Sequence, residues 1–156
     1  QNITDPYRNV VGIFMNQIIQ GKPMTIFGDG TQTRAFTYIG DVAPIIARAP
    51  FLPEAHGEIF NVGADTPCTV TELASLVAKA FGVTPRVQYL PARHEVLHAF
   101  ADHTKAEKIF KWNKQTSLEE GVLRTAHWAR KVGTRASTGF KHIEISKNMP
   151  VCWRTE

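Results

Sequence analysis

No apolar stretch approaches the ~18 residues of a membrane span, and the N-terminus shows no charged region followed by an apolar one. There are only two cysteines, Cys68 and Cys152, with no Cys-x-x-Cys pair. This excludes a zinc ribbon or a disulfide scaffold and points to a reducing compartment, so the expected location is cytoplasmic, with no membrane partner. No run of five like charges occurs, and the net charge of +4 is spread along the chain. Such a diffuse balance excludes a nucleic-acid tail and suits an anionic small-molecule ligand. None of the 11 glycines gives the Gly-x-Gly-x-x-Gly spacing of a dinucleotide cradle. Asn2-Ile3-Thr4 has the form of a glycosylation sequon, which we read as a chance match because nothing else suggests secretion.

What is present suits a folded domain: 156 residues, 43% of them hydrophobic, suffice for one real core. Val10, Val11, Phe14, Ile18 and Ile19 share one helical face, ended by Gly21 and Pro23. Asp41 is placed to cap a short helix running to about residue 48, before Pro50 and Pro53. Residues 58–62 read as a strand. Thr69-Val70-Thr71-Glu72 has the spacing of a capping box and opens a helix that ends at Gly82. A strand is predicted over 86–90, a helix over 104–112, and a second capping box, Ser117 to Glu120, before a helix reaching Val132. His142 to Ile145 suggest a late strand. No repeat or low-complexity linker interrupts this order. The fold class is therefore α/β, with one unit over 1–132 and a tail over 133–156 that packs on or extends it.

Gly21 to Val42 is the most informative run. Met24 to Phe27 and Arg34 to Ile39 are rich in β-branched and aromatic residues, and Gly28-Asp29-Gly30 between them supplies positive φ angles. The expectation is a hairpin that delivers Arg34 to a fixed place on a strand. A guanidinium there suits phosphate, because its paired donors orient as well as attract.

This run resembles the part of the extended short-chain dehydrogenases/reductases that binds the nucleotide sugar, in the NAD-dependent epimerase/dehydratase family, and most resembles the UDP-glucose 4-epimerases. The similarity extends from Gln1 to about Trp128. It implies the small substrate-binding domain of that fold, without the complete dinucleotide-binding sheet. It implies that Val11 lies where main chain meets the nucleotide, that Thr25 and Phe27 hold the base, and that Arg34 clamps the diphosphate. The family's Arg-Pro-Gly-Asp before Ala101-Asp102-His103-Thr104-Lys105-Ala106 is altered: Ala92 takes the arginine's place and Glu95 the acid's, with Arg93 one step displaced. Arg93 is then a candidate for the phosphates and Glu95 for a ribose hydroxyl. Asn61-Val62-Gly63 resembles the family's Asn-x-Gly at the edge of the site.

The complete enzymes of this family oxidise a hexose hydroxyl with NAD, rotate the keto sugar and return the hydride. That chemistry needs a Tyr-x-x-x-Lys pair, but Tyr7, Tyr38 and Tyr89 are followed four residues later by Val11, Val42 and Arg93. The expectation is a substrate-binding portion that starts just after the family's Tyr-Gly-Pro-Arg segment. It holds no cofactor and does not turn over alone; it self-associates, or joins a separate cofactor-binding half. A different class of reading is a non-catalytic binding or assembly module. A third comes from His94-Glu95-Val96-Leu97-His98, a literal His-Glu-x-x-His, which binds zinc in metallopeptidases when a helix puts both histidines on one face.

Overall fold

The computed structural model describes residues 3, 5, 8–112 and 116–133. Helix α1 spans Val10–Ile19 and ends as its sequence predicts. Gly21, at φ 69°, donates to the Ile18 carbonyl at 2.9 Å while Lys22 reaches back to that of Gln17 at 2.8 Å. This left-handed stop uses glycine because a Cβ disfavours positive φ. The chain then enters β1, Met24–Phe27.

The expected hairpin does not form. Strand β1 pairs in parallel with β4, Val87–Leu90, while the chain beyond Gly30 enters a separate sheet. There β2, the two residues Thr33–Arg34, lies between β3, Cys68–Thr69, and β5, His98–Ala99. It runs antiparallel to β3 and parallel to β5. The physical reason lies in the Gly28 to Gly30 segment, whose positive φ angles of 73° and 80° were expected but serve another purpose. The Gly30 carbonyl accepts the Thr71 backbone N–H at 3.2 Å, so the loop docks on a helix some forty residues further along instead of folding back on β1.

That helix, α3, spans Val70–Phe81 and carries the full capping box: Thr69 Oγ1 accepts from the Glu72 N–H, and the Glu72 carboxylate accepts from the Thr69 N–H. Its buried stripe, with Leu73, Ala74, Val77 and Ala78, faces Val122, Ala126 and Ala129 of α5, Leu118–Val132. The alanines allow close approach of the two helices, and Phe14 and Met15 of α1 complete this core. Helix α5 has half of its expected box. Ser117 caps Glu120 N–H, but the Glu120 carboxylate pairs with Arg124 at 2.7 Å.

Other expectations are corrected. Helix α2, Ile39–Arg48, is capped at Tyr38, and Asp41 lies inside its first turn. The Asp41 carboxylate instead accepts from the Thr116 N–H and hydroxyl at 2.8 and 2.9 Å, tying α2 to the approach of α5. Residues 58–62 form no strand; Phe60 turns inward onto Phe110 of α4, Thr104–Phe110, in an edge-to-face contact at 5.1 Å. A smaller apolar cluster of Ile45, Ala106 and Phe110 forms there. The expected strand at 142–145 and the tail from 134 onward lie outside the described residues.

Candidate nucleotide-binding cleft

A cleft of about 540 Å³ opens where α1, β1 and the loop after β4 meet. Of the residues singled out from sequence, Thr25, Phe27, Arg34, Arg93 and Glu95 all line it. Val11 does not. Helical spacing turns its side chain into the core at 7% exposure, and Val10 takes the place beside the cleft.

Arg34 is brought to the cleft by β2 and fixed by main chain. Its Nη1 donates to the Thr33 and Leu97 carbonyls at 2.7 and 3.1 Å, and its Nη2 to the Val96 carbonyl at 2.6 Å. The Nη2 group also meets the Glu95 carboxylate at 3.3 Å. Arg93 lies with its guanidinium 3.9 Å from the centre of the Phe27 ring and 3.8 Å from the same Glu95 oxygen. The quadrupole of the ring draws the cation to its face, which holds Arg93 above β1. The two arginines and the acid, with side chains 25%, 26% and 29% exposed, therefore form one partly screened cluster.

Two polar residues that were not singled out complete the cleft. Gln32, 7% exposed, donates from Nε2 to the Phe27 carbonyl at 2.9 Å and to Glu95 Oε1 at 3.3 Å. Gln17 accepts from the Thr25 N–H at 3.1 Å and donates to Thr25 Oγ1 at 2.9 Å, closing the free edge of β1. Gln17 had a legible signal: a polar side chain three residues after Phe14, on an otherwise apolar helical stripe. Gln32 had none, because its burial depends on the docking of the glycine loop. The Asn61-Val62-Gly63 segment is not at this cleft. Gly63 is buried beside His103, and the Ala64 N–H donates to Thr37 Oγ1 at 2.9 Å.

The metallopeptidase reading is overturned by geometry. His94 to His98 forms no helix, so the two histidines do not share a helix face. His98 lies in β5 with Nδ1 2.8 Å from the hydroxyl of Thr33. Among the described residues no three His, Cys, Asp or Glu side chains are grouped to hold a metal.

Residues 2–63 match the model of the NAD dependent epimerase/dehydratase family. This part of the chain belongs to that family. The chain is 34% identical over 140 residues to the UDP-glucuronate 4-epimerase of Thermodesulfobacterium geofontis, covering 88% of this chain and 40% of the relative. The UDP-glucose 4-epimerase of Thermotoga maritima, solved with UDP-glucose, superposes with a TM-score of 0.70 at 34% identity, over 83% of this chain and 42% of that one. The UDP-glucuronic acid 4-epimerase of Bacillus cereus, solved with UDP-glucuronic acid and NAD, gives a TM-score of 0.74 at 28% identity, over 82% and 41%. The family and the α/β fold expected from the sequence are thus both found. The chain spans about two-fifths of the length of the curated relatives it matches.

Proposed function

We propose that this chain is the part of an NAD-dependent sugar-nucleotide epimerase or dehydratase that binds the nucleotide sugar, with a UDP-hexose as ligand. The observation that carries this reading is the convergence of Arg34, Arg93 and Phe27 on one cleft. In it a diphosphate meets two guanidinium groups while an aromatic edge and a strand edge lie alongside for a base. Arg34 is the principal anchor, because three main-chain carbonyls hold its fork in place before a ligand arrives. Arg93 adds a second positive charge, and Thr25 offers its main chain once Gln17 yields. Relatives solved with UDP-glucose or UDP-glucuronic acid support the ligand class.

Among the described residues the glycine loop after β1 does not fit NAD. The loop leaving β1 carries Gly28 and Gly30 into β2 instead of into a helix N-terminus. Its amides are therefore not set out as the strand-to-helix phosphate cradle that a dinucleotide needs. We assign this chain binding and orientation of the substrate, and no turnover by itself.

Calorimetric titration with UDP-glucose and UDP-glucuronic acid tests the proposal. Binding is expected in the parent protein, weakened by Arg34→Lys and lost in Arg34→Ala, with circular dichroism confirming that each variant is folded. A folded Arg34→Ala protein that binds as the parent does, or a folded parent that binds neither nucleotide sugar, sinks it.

A second reading, an assembly module, is favoured by the large apolar side chains left in solvent. Phe51 and Ile59 are 83% and 86% exposed, and Ile39 and Ile46 are exposed as well. Self-association or pairing with a cofactor-binding half would cover them. Light scattering that gives a monomer at all concentrations, together with no co-purification of such a half, rejects this reading.

A further inference from the structure

The anion site of the cleft already holds an anion of its own. Glu95 stands between Arg34 and Arg93, with Oε2 at 3.3 and 3.8 Å from them and Oε1 at 3.3 Å from Gln32. These contacts are long for charge-assisted bonds, which favour about 2.7–2.9 Å. The carbonyl contacts of Arg34 are much shorter, at 2.6 Å to Val96 and 2.7 Å to Thr33. The guanidinium is therefore held by main chain, and the carboxylate is its loosest partner. Gln32 is anchored independently through the Phe27 carbonyl, so it also keeps its position when Glu95 leaves.

We propose that Glu95 is an internal competitor for this site and determines its selectivity: a ligand enters the Arg34–Arg93 pair by displacing the carboxylate, so ligands with two or more negative charges are favoured over monoanions. This rests on the reading of the cleft as a diphosphate site. The charge balance carries the argument. Two guanidinium groups and one carboxylate sum to one positive charge. A monoanion that displaces Glu95 exchanges like for like and leaves a carboxylate nearby without its partners. A diphosphate neutralises both arginines and presents separate oxygens to each, a gain large enough to move the acid. Partial burial of all three side chains keeps these interactions from being fully screened.

This role differs from that of a ribose ligand, which the family resemblance implies for Glu95, and the two give opposite results. The probes are inorganic pyrophosphate and inorganic phosphate, which contain no ribose, titrated by calorimetry into the parent and Glu95→Gln proteins at mildly acid pH, where phosphate is mainly a monoanion and pyrophosphate still carries two charges or more. The amide keeps the shape and a contact for Gln32 while removing the competing charge. Pyrophosphate is expected to bind about tenfold more tightly to Glu95→Gln, and phosphate to gain by a larger factor, so that discrimination between them narrows. Backbone amides at 93–97 should also exchange somewhat faster in unliganded Glu95→Gln, because the loop has lost one of its ties to Arg34 while those through the Val96 and Leu97 carbonyls remain. Pyrophosphate affinity that is unchanged or weaker in a folded Glu95→Gln protein overturns the proposal, as does the absence of pyrophosphate binding in both.

UDP separates this proposal from the functional reading. Arg34-dependent UDP binding with no effect of Glu95→Gln on pyrophosphate rejects the competitor and keeps the nucleotide site. Tightened pyrophosphate binding, with UDP binding no better than pyrophosphate, keeps the competitor and rejects the nucleotide site.

Discussion

The side-chain amide of Gln17 grips Thr25 at two points, accepting its backbone N–H at 3.1 Å and donating to its hydroxyl at 2.9 Å. A helix side chain thereby completes the edge of a strand that pairs on its other side with β4. Gln17→Leu keeps the bulk but leaves the Thr25 N–H without its acceptor in a half-buried place. A loss of about 1–2 kcal/mol is expected, measured as a lower urea midpoint with an unchanged slope. A midpoint equal to that of the parent shows that water replaces the amide without cost.

The capping box of α3 gives stability a pH dependence. The Thr69 backbone N–H first, and then its hydroxyl, hold the Glu72 carboxyl below its ordinary value, against a smaller upward push from burial. A carboxyl with a lower pKa in the folded state stabilises above the unfolded value and loses that contribution as pH falls through the folded one. The difference in urea midpoint between the parent and Glu72→Gln should therefore shrink as pH falls from about 6 to about 3. Thr69→Ala removes the other half of the box and should cost about 1 kcal/mol at neutral pH.

Gly30 and Gly57 both have positive φ, at 80° and 72°, yet their surroundings differ. A Cβ at Gly30 collides with the hydroxyl of Thr71, whereas one at Gly57 meets open space. Gly57→Ala should cost only the backbone penalty of about 1 kcal/mol, and Gly30→Ala clearly more. Because Gly30 also docks the loop that leads to Arg34, its replacement should weaken UDP-glucose binding as well. Thermal unfolding and calorimetry of both variants check this contrast.

The thiol of Cys68 is pushed up to about 11, by burial first and by the charge of Glu72 second. It pairs opposite Arg34 in the three-stranded sheet. With so little thiolate at about pH 8, alkylation by iodoacetamide should run about two orders of magnitude slower than that of an ordinary thiol. Site-resolved mass spectrometry measures the rate. Labelling at the ordinary rate means that the strand opens readily.

Much of the local structure was legible because its causes are local. The stop at Gly21, the box at Thr69 and Glu72 and the stripe of Val122, Ala126 and Ala129 need only backbone chemistry and helical period. The Asp41 carboxylate departs from the expected cap for the opposite reason. Its acceptor oxygens suit a cap, but Thr116, 75 residues away, supplies better placed donors. Of the residues that the family resemblance points to, Thr25, Phe27, Arg34, Arg93 and Glu95 meet in one cleft, while the buried place of Gln32 is not legible from its neighbours in sequence.

By itself the sequence determined the helices, the left-handed turns and the family, since each depends on residue type at short spacing. Tertiary structure alone decided the partners of β1 and β2. Both strands are short enough to pair in several ways, and the choice fell to the docking of the Gly28–Gly30 loop on α3 and to the packing of that helix against α5. The same long-range placement put Glu95 between two arginines, one 61 positions away and the other 2, because that contact depends on where β5 joins β2.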